Sequence, residues 1–150
     1  MRRTLILVLL IPGLVLVAGC GDDDSATEAT KPKVEVPDGD PPRELKIRDI
    51  TKGTGAEAAA GKTLTVHYVG VAWSDKQEFD ASWGGEPFSV KLGQDPPAVI
   101  LGWEQGLVGM KVGGRRELII PPALAYREFG QGPIKPNETL VFVVDLLEVV

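Results

Sequence analysis

The fold turns on the stretch VILGWEQGLVGMKVGGRRELIIPPALAY, Val99 to Tyr126. Trp103 sits in a short segment bounded by Gly102 and Gly106, and Pro121-Pro122 lead from a strand-like run to Tyr126. Val99, Ile100, Trp103 and Leu107 share one face at helical spacing. Arg116, Leu118 and Ile120 alternate with Arg115, Glu117 and Ile119, the period-two mark of a strand. Upstream, Asp95-Pro96-Pro97 is a suitable helix start, because the missing proline N–H costs nothing in a first turn. Gly106 or Gly109 can close the helix. The spacing predicts a helix of about two or three turns, too short to stand on propensity and so held by packing.

Working outward, the rest of the region from Glu44 reads as strands. Leu45 and Ile47 begin one that Gly53-Thr54-Gly55 ends. Between Lys62 and Ala72, Leu64, Val66 and Tyr68 alternate with Thr63, Thr65 and His67, as in a half-buried strand. Phe88, Val90 and Leu92 repeat the alternation before Gly93. Leu140 to Leu147 is apolar on both faces, which suits a central strand better than an edge. Strands packed on one short amphipathic helix make an α+β arrangement.

The N-terminus reads as a targeting segment. Arg2 and Arg3 precede an apolar run from Leu5 to Ala18, which is shorter than the roughly 20 residues a spanning helix needs and holds Pro12-Gly13 near its middle. A secretory signal peptide over residues 1–19 fits better. Val17-Ala18-Gly19-Cys20 is similar to the bacterial lipobox, in which cleavage precedes a cysteine that becomes lipidated. Cys20 is the only cysteine, so no internal disulfide can form. A free thiol and an intermolecular disulfide compete with the lipid anchor, which the preceding small and apolar residues favour. Residues 20–43 hold Asp22-Asp23-Asp24 and prolines 32, 37, 41 and 42 with little apolar side chain, as expected of a flexible tether. Residues 44–150 then form the one folded domain.

Composition narrows the function. A hydrophobic share of 43% is enough for a core, and a net charge of −5 argues against nucleic acid, whose phosphates need clustered Lys and Arg. His67 is the sole histidine, so neither a Ser-His-Asp triad nor a histidine metal cluster is available, and a structural role suits it best. No metal or cofactor motif is present, and Asp22-Asp23-Asp24 reads as solvated spacer.

VHYVG (Val66–Gly70), EFD (Glu78–Asp80), EPFSVKLG (Glu86–Gly93), VILGW, PPALAY and TLVFVVDLLEV (Thr139–Val149), in this order, resemble the FKBP family of macrolide-binding peptidyl-prolyl cis-trans isomerases. The resemblance spans nearly everything from Glu44 onward. It implies a twisted antiparallel β-sheet wrapped around one short α-helix. It also implies a shallow apolar pocket with Trp103 as floor, lined by Tyr68, Phe79, Phe88, Val99, Ile100, Tyr126, Ile134 and Phe142. Tyr68, Phe79, Asp80 and Tyr126 are then the catalytic set. The Ile100 N–H and the Tyr126 hydroxyl would meet substrate carbonyls, with Asp80 orienting Tyr68. Without the resemblance, the apolar side chains read as core and Asp80 as a turn residue capping its own backbone.

The implied partners are proline-containing polypeptides, with macrolides as a second ligand class. With the lipobox, this places the protein outside the bacterial cytoplasm, anchored to an envelope membrane through Cys20 and needing no cofactor. A lipid-anchored peptide-binding module or holdase is the alternative. Two departures from the family pattern rim the pocket. The loop between Asp80 and Pro87 is short and lacks the family's arginine, and Arg127 stands where a glycine is usual. Because glycine serves where φ is positive, Arg127 predicts a different backbone there. Phe79 and Asp80 are expected to follow a strand-to-loop junction.

Overall fold

The structure, a computed structural model, describes residues 30–150. The signal segment, Cys20 and the first part of the tether lie outside the described residues. Six strands form one antiparallel sheet: β1 (Lys46–Thr51), β2 (Thr63–Ala72), β3 (Glu78–Ala81), β4 (Phe88–Lys91), β5 (Arg115–Ile120) and β6 (Leu140–Val149). Their order is β1-β5-β6-β2-β3, with β4 pairing β2 beside β3. β6 is central, as its two-faced apolar pattern predicts. β2 carries two partners on one edge: its N-terminal half pairs β4, and its C-terminal half pairs β3. The connection between β3 and β4 therefore loops out from the middle of β2.

The helix α1 runs only from Leu101 to Gly106, with Ile100 as N-cap. It is shorter than expected and begins well after Pro96-Pro97. A residue preceding proline is pushed out of the helical region, so the paired prolines delay the helix instead of starting it. α1 packs on β5 through two glycines four residues apart. A Cβ on Gly102 would run into Ile120, and one on Gly106 would lie 2.7 Å from Leu118 Cδ2. Arg116 finishes the other end: its Nη1 donates to the Gly106 and Val108 carbonyls at 2.9 and 3.1 Å, and its Nε donates to Asp49 at 2.6 Å. A cation at a helix C-terminus meets the negative end of the dipole.

The core lies between α1 and one face of the sheet, with Leu64, Val66, Leu118, Ile120, Leu140, Val144 and Leu146 almost fully buried. The alternate residues Val69, Val71, Val141 and Val143 are also buried, on the outer face. Residues 30–43, expected to belong to a flexible tether, lie along that outer face. The Thr30 carbonyl accepts from Arg115, Lys31 pairs Glu78 at 2.8 Å, Asp38 pairs Lys76 at 2.6 Å, and the Gly39 carbonyl accepts from the Trp73 indole. A cleft of about 400 Å³ separates Lys31 to Val34 from Val69 and Val71. Among the described residues, no helix is long and apolar enough to cross a membrane.

Candidate active site

Trp103, 4% exposed, is held on the first turn of α1, where its N–H donates to the Ile100 carbonyl at 2.9 Å. Three rings meet it edge-on: Tyr68 at 5.3 Å, Phe142 at 5.4 Å and Phe88 at 6.1 Å between centroids. Such T-shaped pairs suit the aromatic quadrupole and add about 0.5–1.5 kcal/mol each beyond burial. Phe79 stands edge-on to Phe142 at 5.6 Å. Both rings close over Gly70 of β2, where a Cβ would lie 2.7 Å from Phe79 Cζ and 2.7 Å from Phe142 Cε1. Val99, Ile100 and Tyr126 pack partly buried against the same cluster, and Ile134 lies within it.

Of the apolar residues expected at the pocket, Tyr68, Phe79, Phe88, Trp103 and Phe142 are thus linked ring to ring, and Val99, Ile100, Tyr126 and Ile134 join the same hydrophobic core. Phe88 ends β4 and remains 39% exposed beside Tyr68 and Trp103. Phe79 and Asp80 lie inside β3, and not at a strand-to-loop junction as expected: Asp80 is opposite Gly70, and Phe79 falls at the register shift between the Gly70–Asp80 and Val71–Glu78 pairs. Asp80 is held by the ladder, and Phe79 by its packing on Phe142 over Gly70.

Two polar features mark the cluster. The Tyr68 hydroxyl donates to Asp80 Oδ2 at 2.7 Å. Burial first, and the neighbouring Asp80 carboxylate second, push the Tyr68 phenol far above its ordinary range. Burial and the Asp80 charge also raise Tyr126. Both phenols therefore stay protonated as donors at neutral pH. The Trp103 Nε1, in contrast, is buried with no hydrogen-bond partner. The arrangement offers an apolar floor, two phenol groups and one exposed carboxylate. Among the described residues, no group of His, Cys, Asp and Glu could hold a metal.

The rim differs from expectation at Arg127. Its φ is +53, so the chain keeps a left-handed residue there despite the side chain. Two backbone bonds hold it: Arg127 N–H to the Pro122 carbonyl at 3.0 Å, and Asn137 N–H to the Arg127 carbonyl at 2.7 Å. Sequence reading used Gly102 and Gly106 only as bounds of the helical segment and passed over Gly70, whereas close approach at all three sets the ring and helix positions. The Gly102-x-x-x-Gly106 spacing was the available signal.

The family model for FKBP-type peptidyl-prolyl cis-trans isomerases matches residues 55–147. The chain belongs to this family and is a peptidyl-prolyl isomerase. It is 57% identical over 122 residues to the FK506-binding protein of Streptomyces anulatus, covering 79% of this chain and 97% of that one. To the probable FK506-binding protein of Corynebacterium glutamicum it is 47% identical over 118 residues, covering 78% and 97%. Among solved structures, AtFKBP13 superposes with a TM-score of 0.64 at 34% identity, covering 71% of this chain and 93% of that one. FkpA of Escherichia coli superposes at 0.63 with 42% identity, covering 70% of this chain and 47% of FkpA. The antiparallel sheet with a single short helix is the FKBP-like fold that the sequence implied.

Proposed function

We propose that this isomerase acts on X-Pro bonds of exported proteins, with the prolyl ring seated over Trp103, while Cys20 holds it to the bacterial cell-envelope membrane on the non-cytoplasmic side. Rotation about a peptide bond faces a barrier of roughly 18–20 kcal/mol, because resonance makes C–N partly double. The planar amide is more dipolar than the twisted one, so a water-poor aromatic site favours the twisted state. Only interactions stronger in that state lower the barrier. No nucleophile, base or metal is required. X-Pro bonds suit the chemistry because their two isomers differ by only about 0.5–1 kcal/mol.

The roles follow from position. Trp103 is the floor, and Phe79, Phe88 and Phe142 are walls. The Ile100 N–H precedes the first turn of α1, where N–H groups lack intrahelical partners, and it would bind a substrate carbonyl beside the Tyr126 hydroxyl. Asp80 fixes Tyr68 at the rim. The observation that carries this reading is Trp103 itself: a ring buried beneath three edge-on aromatics, one of them exposed. Macrolide binding is the companion property, supported by the two bacterial relatives named for FK506.

The test is a catalysed cis-to-trans rate on a short X-Pro peptide. Trp103→Leu keeps an apolar side chain and is expected to weaken peptide binding more than it lowers stability. Outright unfolding, or intact peptide binding, would remove Trp103 from the floor. Wild-type protein that binds the peptide without speeding its isomerisation would point to the peptide-binding module or holdase. For the anchor, one acyl chain holds a membrane only marginally, so the multiple chains of lipobox proteins are expected on Cys20. Cys20→Ala should leave uncleaved precursor or release the protein to the soluble fraction. An unmodified mature Cys20 in the mass spectrum of native material would sink the assignment.

A further inference from the structure

Asp80 leads into a loop, residues 82–87, that contains no basic side chain and carries Gly84 and Gly85 at its tip. Consecutive residues of β2 hold that loop from opposite faces of the sheet. On the pocket face Tyr68 reaches Asp80. On the outer face His67 reaches both Ser82 and Trp83. Ser82 Oγ accepts the Tyr68 N–H at 2.9 Å and shares a hydrogen bond of 2.8 Å with His67 Nδ1, while the Ser82 N–H donates to the Tyr68 carbonyl at 3.0 Å. A hydroxyl offers one donor and two lone pairs, so it sustains both side-chain bonds with either tautomer of the ring. The Trp83 indole lies nearly flat on the imidazole, 4.7 Å away at 22°, and its Nε1 is buried without a partner. Stacking and burial, not a hydrogen bond, therefore hold this ring. The Gly85 N–H closes the turn on the Ser82 carbonyl at 3.1 Å.

We propose that His67, Ser82 and Trp83 form a clamp that positions Asp80, and with it the Tyr68 hydroxyl, for isomerisation in place of a basic residue at the rim. All three are positioning residues: they act from the outer face and touch neither the prolyl ring nor the bond that rotates. The need for a clamp is physical. Glycines widen the conformations open to a loop, and a displacement of about 1 Å in a positioning group can cost as much as a hundredfold in rate. The clamp rests on the roles proposed above for Tyr68 and Asp80.

The experiment uses the full-length protein, with kcat and KM separated on an X-Pro peptide and thermal unfolding measured alongside. Trp83→Ala is expected to lower kcat/KM about tenfold, chiefly in kcat, as for a group that matters in the transition state. Trp83→Phe keeps a ring on the imidazole and restores most of the rate. In an Asp80→Leu background, Trp83→Ala should cost less than about twofold more, since residues acting through one another are not additive. An undiminished loss in that background overturns the clamp, as does a Trp83→Ala enzyme that matches wild type. If Trp83→Ala does not fold, Ser82→Ala, which deletes a single hydroxyl, decides by the same criteria. An Asp80→Leu enzyme with an unchanged rate removes Asp80 from the mechanism and the clamp with it. A slow Asp80→Leu enzyme beside a normal Trp83→Ala enzyme removes the clamp alone.

Discussion

The two faces of the sheet are both buried, but by opposite chemistry. The outer face covers Val69, Val71, Val141 and Val143, and the acidic groups buried there are ion-paired across the strands. Arg48 grips Glu117 with two bonds of 3.0 Å, and Arg115 grips Asp145 with bonds of 2.6 and 2.7 Å. In each case the partners are directly opposite in the ladder, where unlike charges reinforce pairing. The pocket face instead gathers five aromatic rings and leaves the Trp103 Nε1 unpartnered and Phe88 exposed. The buried carboxylates of the outer face are satisfied within the sheet, although the Trp83 Nε1 packed on that face also has no partner. On the pocket face the rings already bury Trp103, and Phe88 beside it stays 39% exposed. Both faces contribute buried apolar surface, and under the function proposed above only the pocket face would meet a prolyl ring.

The largest expected effect contrasts one small change on each face. Gly102→Ala drives a methyl into Ile120, so α1 must lift from β5 and carry Trp103 with it. Overpacking of this kind costs about 1–3 kcal/mol, and most of the isomerisation rate should go with it. Val143→Ala on the outer face removes buried methyls for a similar cost of about 1–3 kcal/mol. Its rate should stay within about twofold of wild type well below the melting temperature. Rates and unfolding curves for the pair decide the matter. Equal rate losses would mean that the faces are not functionally distinct.

A smaller effect sharpens the pocket side alone. Asp80 is exposed and bonded to Tyr68, so Asp80→Leu should slow catalysis tenfold or more, on the order of 1.4 kcal/mol in the barrier, with peptide binding falling less. Phe79→Ala should slow it comparably but also lower stability, because Phe79 lies within β3 and packs on Phe142 over Gly70. Circular dichroism and melting separate the two contributions. Folded variants with unchanged rates would take both residues out of the mechanism.

Much of this was legible in the sequence, for a local reason. Alternation along β2, β5 and β6 reports burial directly, and ordered motifs name Tyr68, Trp103 and Phe142 without a structure. What stayed hidden depends on contacts between distant segments. Composition made residues 30–43 look like free tether, yet Pro32, Val34 and Val36 are half-buried along the segment whose ends bond to Arg115 and Trp73. Arg127 was expected to abandon a left-handed backbone, but its bonds to Pro122 and Asn137 impose one on a residue that propensity disfavours. Pro96-Pro97 suggested a helix start because proline is tolerated there, while its effect on the preceding residue argues the other way. His67 was read as structural, and nothing in its neighbours along the chain pointed to Trp83, which reaches it across the β2–β3 edge.

The smallest effect probes where the pocket face is anchored. Arg116 lies on the pocket face of β5, 7% exposed, and ties the end of α1 to Asp49 of β1. The hydrogen bond from Arg116 is the main cause that holds the Asp49 carboxyl below its usual range, against the opposing effect of burial. A carboxyl depressed in the folded state contributes stability above its unfolded value of about 3.9, and that contribution is lost as pH falls through the folded value. The window of pH dependence is therefore below about pH 4, and near neutrality the contribution is fully present and constant. Because Asp49 is partly open to solvent, the contribution is at most about 1 kcal/mol. Asp49→Asn should accordingly lower the melting temperature slightly at pH 6 and flatten its decline between about pH 4 and pH 2.5. At neutral pH its kcat/KM should follow wild type, because Arg116 keeps its two bonds to the helix carbonyls without the carboxylate. Parallel melting curves for the two proteins across that pH range would show that the ion pair contributes nothing to the acid limb. An equal drop in kcat/KM at neutral pH would show that β1, on the far edge of the sheet, sets the position of Trp103 as strongly as β5 does.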